Sequence, residues 1–210
     1  LMNVKTFDQG QKPTLLDLGA AIDAILAHHQ NTPSVPKVVN CSWLVPKSFY
    51  LEQKIQSLIN SGITVVVAAG NFGGDVANYS PASMPNVITV AASDNDDIAA
   101  GFNNFTTSSQ GITTNFGLVV DLFAPGVQVT VADVAGEYVK ADGTSISAGF
   151  VSGAAAALMS VANSVQTPQT VLDLLVQDST KGVLLVDSAK FSNNQNKLIH
   201  LVDGNGEIAN

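Results

Sequence analysis

Residues 63–69 read ITVVVAA, an apolar run in which only Thr64 is polar. Short continuous runs rich in β-branched residues are typical of strands buried on both faces of a parallel sheet. The preceding segment, 48–61, carries Ile55, Leu58 and Ile59 at helical spacing, and Gly62 supplies a helix stop. An amphipathic helix that leads directly into a doubly buried strand predicts an α/β fold.

The same alternation continues on both sides of this helix and strand. We predict further strands at 1–7, 37–42, 87–92 and 118–123, and strand material over 127–138 that turns at Gly136. Further helices are predicted at 14–29, after Ser145, and from Thr167-Pro168 to about Gln177. Residues 101–117 are polar and glycine-rich, which indicates a long surface loop or an insertion. We therefore expect one domain over residues 1–210, a mostly parallel sheet with helices on both faces.

Composition narrows the class of protein. Apolar residues make up 46% of the chain and charged residues 12%, which is sufficient for a large core. A net charge of −8 without any basic run argues against nucleic acid as a partner. No apolar run reaches the roughly 18 residues of a membrane span. Cys41 is the only cysteine, so no disulfide within the chain and no cysteine metal site is expected, and its apolar surroundings indicate a buried, inert thiol.

Two polar residues follow apolar elements at places where sites form in parallel sheets, the carboxyl ends of strands. Asn71 follows the 63–69 strand, where its amide could donate a hydrogen bond to a developing negative charge, or Gly70-Asn71 could simply be a turn. Ser145 precedes an apolar helix, where Ser145 or Thr144 could cap the helix, or Ser145 could be a nucleophile. A phosphate-binding glycine loop and a G-x-S-x-G nucleophile elbow are both missing their defining residues. The two residues by themselves leave both alternatives open.

Five segments taken together resemble the subtilisin-like serine proteases (subtilases), in the family's order. They are 66–71 (VVAAGN), 79–83 (YSPAS), 87–92 (VITVAA), 120–126 (VDLFAPG) and 143–145 (GTS). The resemblance continues through Thr167-Pro168 and 179–184 and so covers nearly the whole chain. It implies the subtilisin-like α/β fold and a serine endopeptidase, a hydrolase that acts in proteolysis on extended peptide or protein substrates. The Ser80–Pro81 bond could be cis or trans.

The resemblance also implies roles for individual residues. Ser145 matches the nucleophile, and Asn71 matches the side-chain donor of the oxyanion hole, together with the backbone N–H of Ser145. Two edge segments match those that hold an extended peptide and wall its primary pocket, and an exposed strand edge binds peptides through their backbone. The expected substrate-binding residues are Ser42, Trp43, Leu44, Ala68, Ala69 and Gly70.

The family's catalytic histidine and aspartate have no counterpart here. His28, His29 and His200 all lack the expected motif, and Asp142 belongs to the serine loop. Because residues 1–7 resemble the family strand that follows the histidine helix, we expect the N-terminal portion of the domain, with both residues, to lie in an upstream segment. The chain alone is then expected to be inactive. The alternative is a catalytically inactive relative that serves as a peptide-binding or scaffold module.

Some positions depart from the family pattern. Gly149 stands where a proline is usual near the start of the helix, which should reduce rigidity there. Trp43-Leu44-Val45 replaces Leu-Gly-Gly, so the substrate groove should be narrowed or reshaped. No cofactor is expected. The family is often secreted and stabilised by calcium, but no cluster of ligands in the sequence identifies a calcium site.

Overall fold

A computed structural model describes residues 1–6, 12–101, 112–161, 166–192 and 195–200. The helices are α1 (Leu15–Asn31), α2 (Phe49–Asn60), α3 (Thr144–Val161) and α4 (Pro168–Asp178), with one 3-10 turn at Val76–Asn78. The strands are β1 (Val38–Cys41), β2 (Val45–Pro46), β3 (Thr64–Ala68), β4 (Tyr79–Ser80), β5 (Ile88–Ser93), β6 (Leu122–Pro125), β7 (Val129–Ala132), β8 (Tyr138–Ala141), β9 (Thr180–Lys181) and β10 (Lys197–Leu198).

The main sheet has six strands in the order β1-β3-β5-β6-β10-β9. All neighbouring pairs are parallel except β10 with β9. Val39 lies opposite Val65, and Val90 lies opposite Leu122. Two small antiparallel pairs, β2 with β4 and β7 with β8, stand outside this sheet. A mainly parallel sheet flanked by helices confirms the predicted α/β class.

Strand β3 explains why its sequence is apolar on both faces. Val65 and Val67 belong to a core cluster that includes Leu18 of α1 and Ile55 of α2. Val66 and Ala68 point the other way, into a second cluster that includes residues of α3 and α4. Every β3 residue is buried, so neither face tolerates a charged side chain. Full burial of each valine contributes roughly 1.5–3 kcal/mol of transfer free energy.

The predicted helices are confirmed, and side-chain caps mark where they begin. Thr14 Oγ1 accepts from the N–H of Asp17 at 3.2 Å, and the Asp17 carboxylate accepts from the N–H of Thr14 at 2.8 Å, a complete capping box. Ser48 caps α2 with a single bond from the N–H of Leu51 to its side chain, and Thr167 caps α4 with Pro168 in its first turn. These signals are local, which is why the sequence reveals them.

Helix α3 packs across β1, β3, β5 and β6 and runs without a break through Gly149. Its 18 residues are long and apolar enough to cross a membrane by length and composition, in the part of the chain that the structure describes. One face of the helix is buried, since Ala148, Val151 and Ala155 are fully covered, and 39% of the helix is buried in all. A helix packed against the core of a globular domain can meet the same criterion.

Three predicted elements differ from the structure. Residues 1–6 form no strand, because no described strand pairs with them. The strand expected at 118–123 begins later, as β6, since the N–H of Val120 bonds back to the carbonyl of Gly117 and closes a turn. Within the predicted surface loop, 102–111 lie outside the described residues, whereas Ile112, Thr114 and Asn115 are buried. The hairpin turning at Gly136 is confirmed, and the Ser80–Pro81 bond is cis.

Candidate active site

Ser145 and Asn71 lie on one cleft, at the edge of the sheet where β3 ends and α3 begins. The cleft has a volume of about 490 Å³ and is partly open to solvent. Asn71 lies three residues beyond Ala68, the last residue of β3, and the N–H of the intervening Ala69 bonds to the carbonyl of Val90. The cleft is lined by Lys12, Pro13, Leu18, Ser42, Trp43, Leu44, Val45, Pro46, Ala68, Gly70, Asn71, Phe72, Thr144 and Ser145.

The side chain of Asn71 is held by Thr144. Its Oδ1 accepts hydrogen bonds from the N–H of Thr144 at 2.9 Å and from the Thr144 hydroxyl at 2.9 Å. Because an N–H can only donate, the oxygen of Asn71 faces Thr144 and the NH₂ group points the other way. Asn71 therefore supplies the cap for one of the free N–H groups at the start of α3. Neither Thr144 nor Ser145 caps this helix with its own hydroxyl.

The Thr144 hydroxyl is fully buried and serves two partners. It accepts from the N–H of Gly70 at 3.0 Å while donating to Asn71 Oδ1. This relay connects the end of β3 to the start of α3. This role could not be distinguished from helix capping by sequence, because both use a threonine at a helix start.

Three groups converge beside Gly143. The position of a hypothetical Cβ on Gly143 lies 3.6 Å from Asn71 Nδ2, 3.7 Å from the backbone nitrogen of Ser145 and 3.9 Å from Ser145 Cβ. Glycine leaves this space empty. Two N–H donors and the carbon that carries a hydroxyl thus surround one small volume, an arrangement able to bind an oxyanion formed by attack of that hydroxyl.

The Ser145 hydroxyl donates to the carbonyl oxygen of Ser42 at 3.3 Å, and the Ser42 hydroxyl donates to the carbonyl oxygen of Ser145 at 3.0 Å. In the described part of the chain none of the histidines bonds to Ser145. His28 and His29 lie in the last turn of α1, and His200 bonds through Nδ1 to the Thr180 hydroxyl.

Of the predicted substrate-binding residues, all but one line the cleft. The exception is Ala69, whose side chain is fully buried in the core cluster that contains Leu18. Leu44 Cδ2 lies 2.7 Å from where a Cβ on Gly70 would stand, so the leucine covers this glycine. Gly70 also has a φ of +105°, which excludes most other residues. Whether this contact narrows or reshapes the groove for a substrate stays a prediction.

Asn115 was not predicted as a site residue from the sequence. Its side chain is fully buried, and it hydrogen-bonds to the backbone of the segment that carries Asn71. Its surroundings in the sequence, ITTNFG, are typical of a loop, and no local pattern distinguishes it. Within the described ranges no group of three or more His, Cys, Asp or Glu side chains is placed to hold a metal ion.

Comparisons with known proteins concern the sequence and the fold of the whole chain. The model of the Subtilase family (Peptidase_S8) matches residues 1–206. The chain is 35% identical over 155 residues to Subtilisin-like protease 1 of Pseudogymnoascus destructans, covering 73% of this chain and 36% of that protein. It is 33% identical over 163 residues to Alkaline serine exoprotease A of Vibrio alginolyticus, covering 78% and 28%.

Among solved structures, the fold matches that of a cold adapted subtilisin-like serine proteinase. The TM-score is 0.78 with 31% identity, and the match covers 92% of this chain and 64% of that one. The chain therefore spans about a third of the length of these curated relatives and about two thirds of the solved structure. On the family model, the identities and the fold together, this chain belongs to the subtilase family.

Proposed function

We propose that the protein is a serine endopeptidase that cleaves extended peptides through an acyl-enzyme on Ser145. The observation that carries the proposal is the convergence of Asn71 Nδ2, the Ser145 N–H and Ser145 Cβ beside Gly143. In this scheme the Ser145 Oγ attacks the substrate carbonyl carbon, and the carbonyl oxygen becomes an oxyanion that accepts from the two donors. The C–N bond then breaks as the leaving amine nitrogen receives the proton that a base has taken from Ser145, and water later hydrolyses the ester.

The Ser145 hydroxyl needs a base to take its proton, because a serine at its ordinary pKa is a poor nucleophile. We propose that a histidine and an aspartate from a segment outside this chain complete the site, so that residues 1–210 form one part of a larger peptidase domain. On binding, the histidine would replace Ser42 as the hydrogen-bond acceptor of the Ser145 hydroxyl. In that arrangement the Ser42 carbonyl becomes free to accept an N–H from the peptide backbone.

A second candidate is an inactive module that binds peptides in the cleft without cleaving them. The observation that favours it is the bond from the Ser145 hydroxyl to the Ser42 carbonyl, which leaves the serine without a base among the described residues. Both functions predict peptide binding in the cleft. Only the first predicts a nucleophilic serine.

A fluorophosphonate probe separates the two functions, because it reacts only with an activated serine. The full-length protein should be labelled at Ser145, and S145A should abolish the labelling. S160A is the matched control, since Ser160 is an exposed serine near the other end of α3 and bonds only within its helix. Peptide binding without labelling of the full-length protein would favour the inactive module.

We further propose that the protein acts outside the cell. One relative is named an exoprotease, and the family membership agrees with that location. The test is the fraction of a tagged full-length protein found in culture medium compared with cell lysate. Retention in the lysate alone would contradict the proposal.

A further inference from the structure

Asn115 holds the segment that carries Asn71, although it lies more than forty residues away in sequence. Its Nδ2 donates to the carbonyl of Ala69 at 2.9 Å. Its Oδ1 accepts from the N–H of Phe72 at 3.0 Å and from the N–H of Gly74 at 2.9 Å. The one side-chain amide therefore hydrogen-bonds to the backbone on both sides of the Gly70-Asn71 pair, at Ala69 before it and at Phe72 and Gly74 after it.

Backbone hydrogen bonds also join the segment around Asn115 to the segment around Asn71, but they involve different backbone groups from those bound by the Asn115 side chain. The N–H of Asn115 donates to the carbonyl of Gly70 at 2.9 Å, and the N–H of Gly73 donates to the carbonyl of Thr113 at 2.8 Å. The bond from the N–H of Thr113 to the carbonyl of Asn71 is long, at 3.4 Å. The backbone of Asn71 is thus weakly held by its own peptide groups and depends on its neighbours.

Asn71 is consequently restrained from two sides. Thr144 holds the oxygen of its side chain, and Asn115 holds the backbone on either side of it. Asn115 Nδ2 also crowds the space above Gly70, so the turn at Gly70 and the amide of Asn115 fit together closely. Because Asn115 is fully buried, removal of its amide leaves three backbone groups without their protein partner, away from bulk solvent.

We propose that Asn115 is a positioning residue for catalysis, which fixes the backbone of Asn71 so that Asn71 Nδ2 reaches the oxyanion. This inference rests on the proposed endopeptidase function. Asn115 touches no reacting atom and acts through Asn71. A shift of about 1 Å in a positioned catalytic group can cost about 100-fold in rate, so removal of the amide should lower kcat far more than it weakens peptide binding.

The test compares N115A with N196A in the full-length protein. Asn196 is a matched control because it is also a buried asparagine that grips backbone, donating to the carbonyl of Leu184 at 2.8 Å and accepting from its N–H at 3.0 Å. It directly precedes β10, which lies toward the opposite edge of the sheet from β1. We expect N115A to lower kcat by roughly 10- to 100-fold with little change in KM, and N196A to leave kcat nearly unchanged despite a similar fall in Tm.

A double-mutant cycle then asks whether Asn115 acts through Asn71. Loss of one oxyanion donor costs about 10²–10³ in kcat in subtilisin, a member of this family. In an N71A background, the additional effect of N115A should largely disappear. A loss of kcat in N115A that is equally large in the N71A background, or equally large in N196A, would overturn the proposal.

Two further measurements keep the outcome decisive. If N115A does not fold, the cycle is run with N115S, whose hydroxyl can still accept one of the two N–H bonds. If the wild-type protein cleaves no peptide, the proposed function fails, and hydrogen exchange at the N–H groups of Phe72 and Gly74 decides the role of Asn115. Faster exchange at both in N115A but not in N196A supports the positioning role, and unchanged exchange overturns it.

Discussion

Replacing Thr144 with valine tests the link between the end of β3 and the start of α3. Valine has nearly the shape of threonine but no hydroxyl, so the core contacts of a fully buried side chain are kept. The change removes the bond from the N–H of Gly70 at 3.0 Å and the bond to Asn71 Oδ1 at 2.9 Å. Asn71 Oδ1 keeps its bond from the N–H of Thr144 at 2.9 Å and is not stranded.

The expected cost comes mainly from the N–H of Gly70, which remains buried without an acceptor. A buried donor left unsatisfied costs about 1–3 kcal/mol, so we expect T144V to lower the free energy of unfolding by about 2 kcal/mol. At this chain length each kcal/mol shifts Tm by about 2–4 °C, which predicts a fall of about 4–8 °C. T144S keeps the hydroxyl and should recover most of the hydrogen-bond loss, while losing roughly 1 kcal/mol through the missing methyl group.

Urea unfolding and differential scanning calorimetry measure the effect, in an S145A background that prevents self-digestion. The Ser145 hydroxyl bonds only to the carbonyl of Ser42, so this background leaves the Thr144 relay intact. A T144V protein within about 0.5 kcal/mol of its parent, the usual range for an inconsequential surface change, would refute the relay. A T144S protein as unstable as T144V would show that the hydroxyl is not the cause.

Three further predictions concern substrate preference, the pH dependence of stability and the reactivity of the single cysteine. L44G removes the side chain that covers Gly70, so kcat/KM for peptides with bulky side chains beside the scissile bond should rise about tenfold relative to alanine peptides; an unchanged ratio would contradict this. Burial raises the pKa of Asp121 from 3.8 to about 7, against the opposing effects of the bond from the N–H of Thr89 and of Lys197, so between these two pH values the folded state holds the proton more tightly than the unfolded chain does. Its contribution to stability is full below pH 3.8 and is lost as pH rises through 7, so D121N should flatten the fall in unfolding free energy over this range, measured with a chelator present. Burial also raises the pKa of the Cys41 thiol to about 12, so iodoacetamide should modify it only as the protein unfolds, and rapid labelling of the folded protein would disagree.

Sequence reasoning succeeded where the signal is local. The run ITVVVAA predicts a doubly buried strand because residues two apart share a face, and β3 has both faces covered. The Thr14 capping box and the Thr167-Pro168 start predict helices because the cap hydroxyl and the N–H that donates to it lie within one turn. The strand predicted at the start of the chain is not formed by residues 1–6, because a strand needs a hydrogen-bonded partner strand that is distant in sequence. No strand in the described part of the chain pairs with this segment.

The site was predicted in part, through segments that resemble a known family. Ser145 and Asn71 were picked out by that resemblance, and the structure brings them to one cleft. Asn115 was missed because its three bonds go to a segment distant in sequence, and nothing in ITTNFG distinguishes a buried clamp from a polar loop. Ala69 was assigned to the cleft wall, but its side chain lies in the core beneath, because successive strand residues alternate in direction.

By itself the sequence determined the class of fold and the residues able to do chemistry, because hydrophobic period and residue type are properties of a short segment. It left open whether the polar residues before α3 cap the helix or act as a nucleophile. Only the tertiary structure showed which residue caps α3. The acceptor for the N–H of Thr144 is the side-chain oxygen of Asn71, which lies 73 residues earlier in the sequence. A hydrogen bond requires its two heavy atoms to lie about 3 Å apart in space. Residues that are far apart in the sequence reach this distance only once the sheet has formed, so their bond cannot be predicted from a short segment.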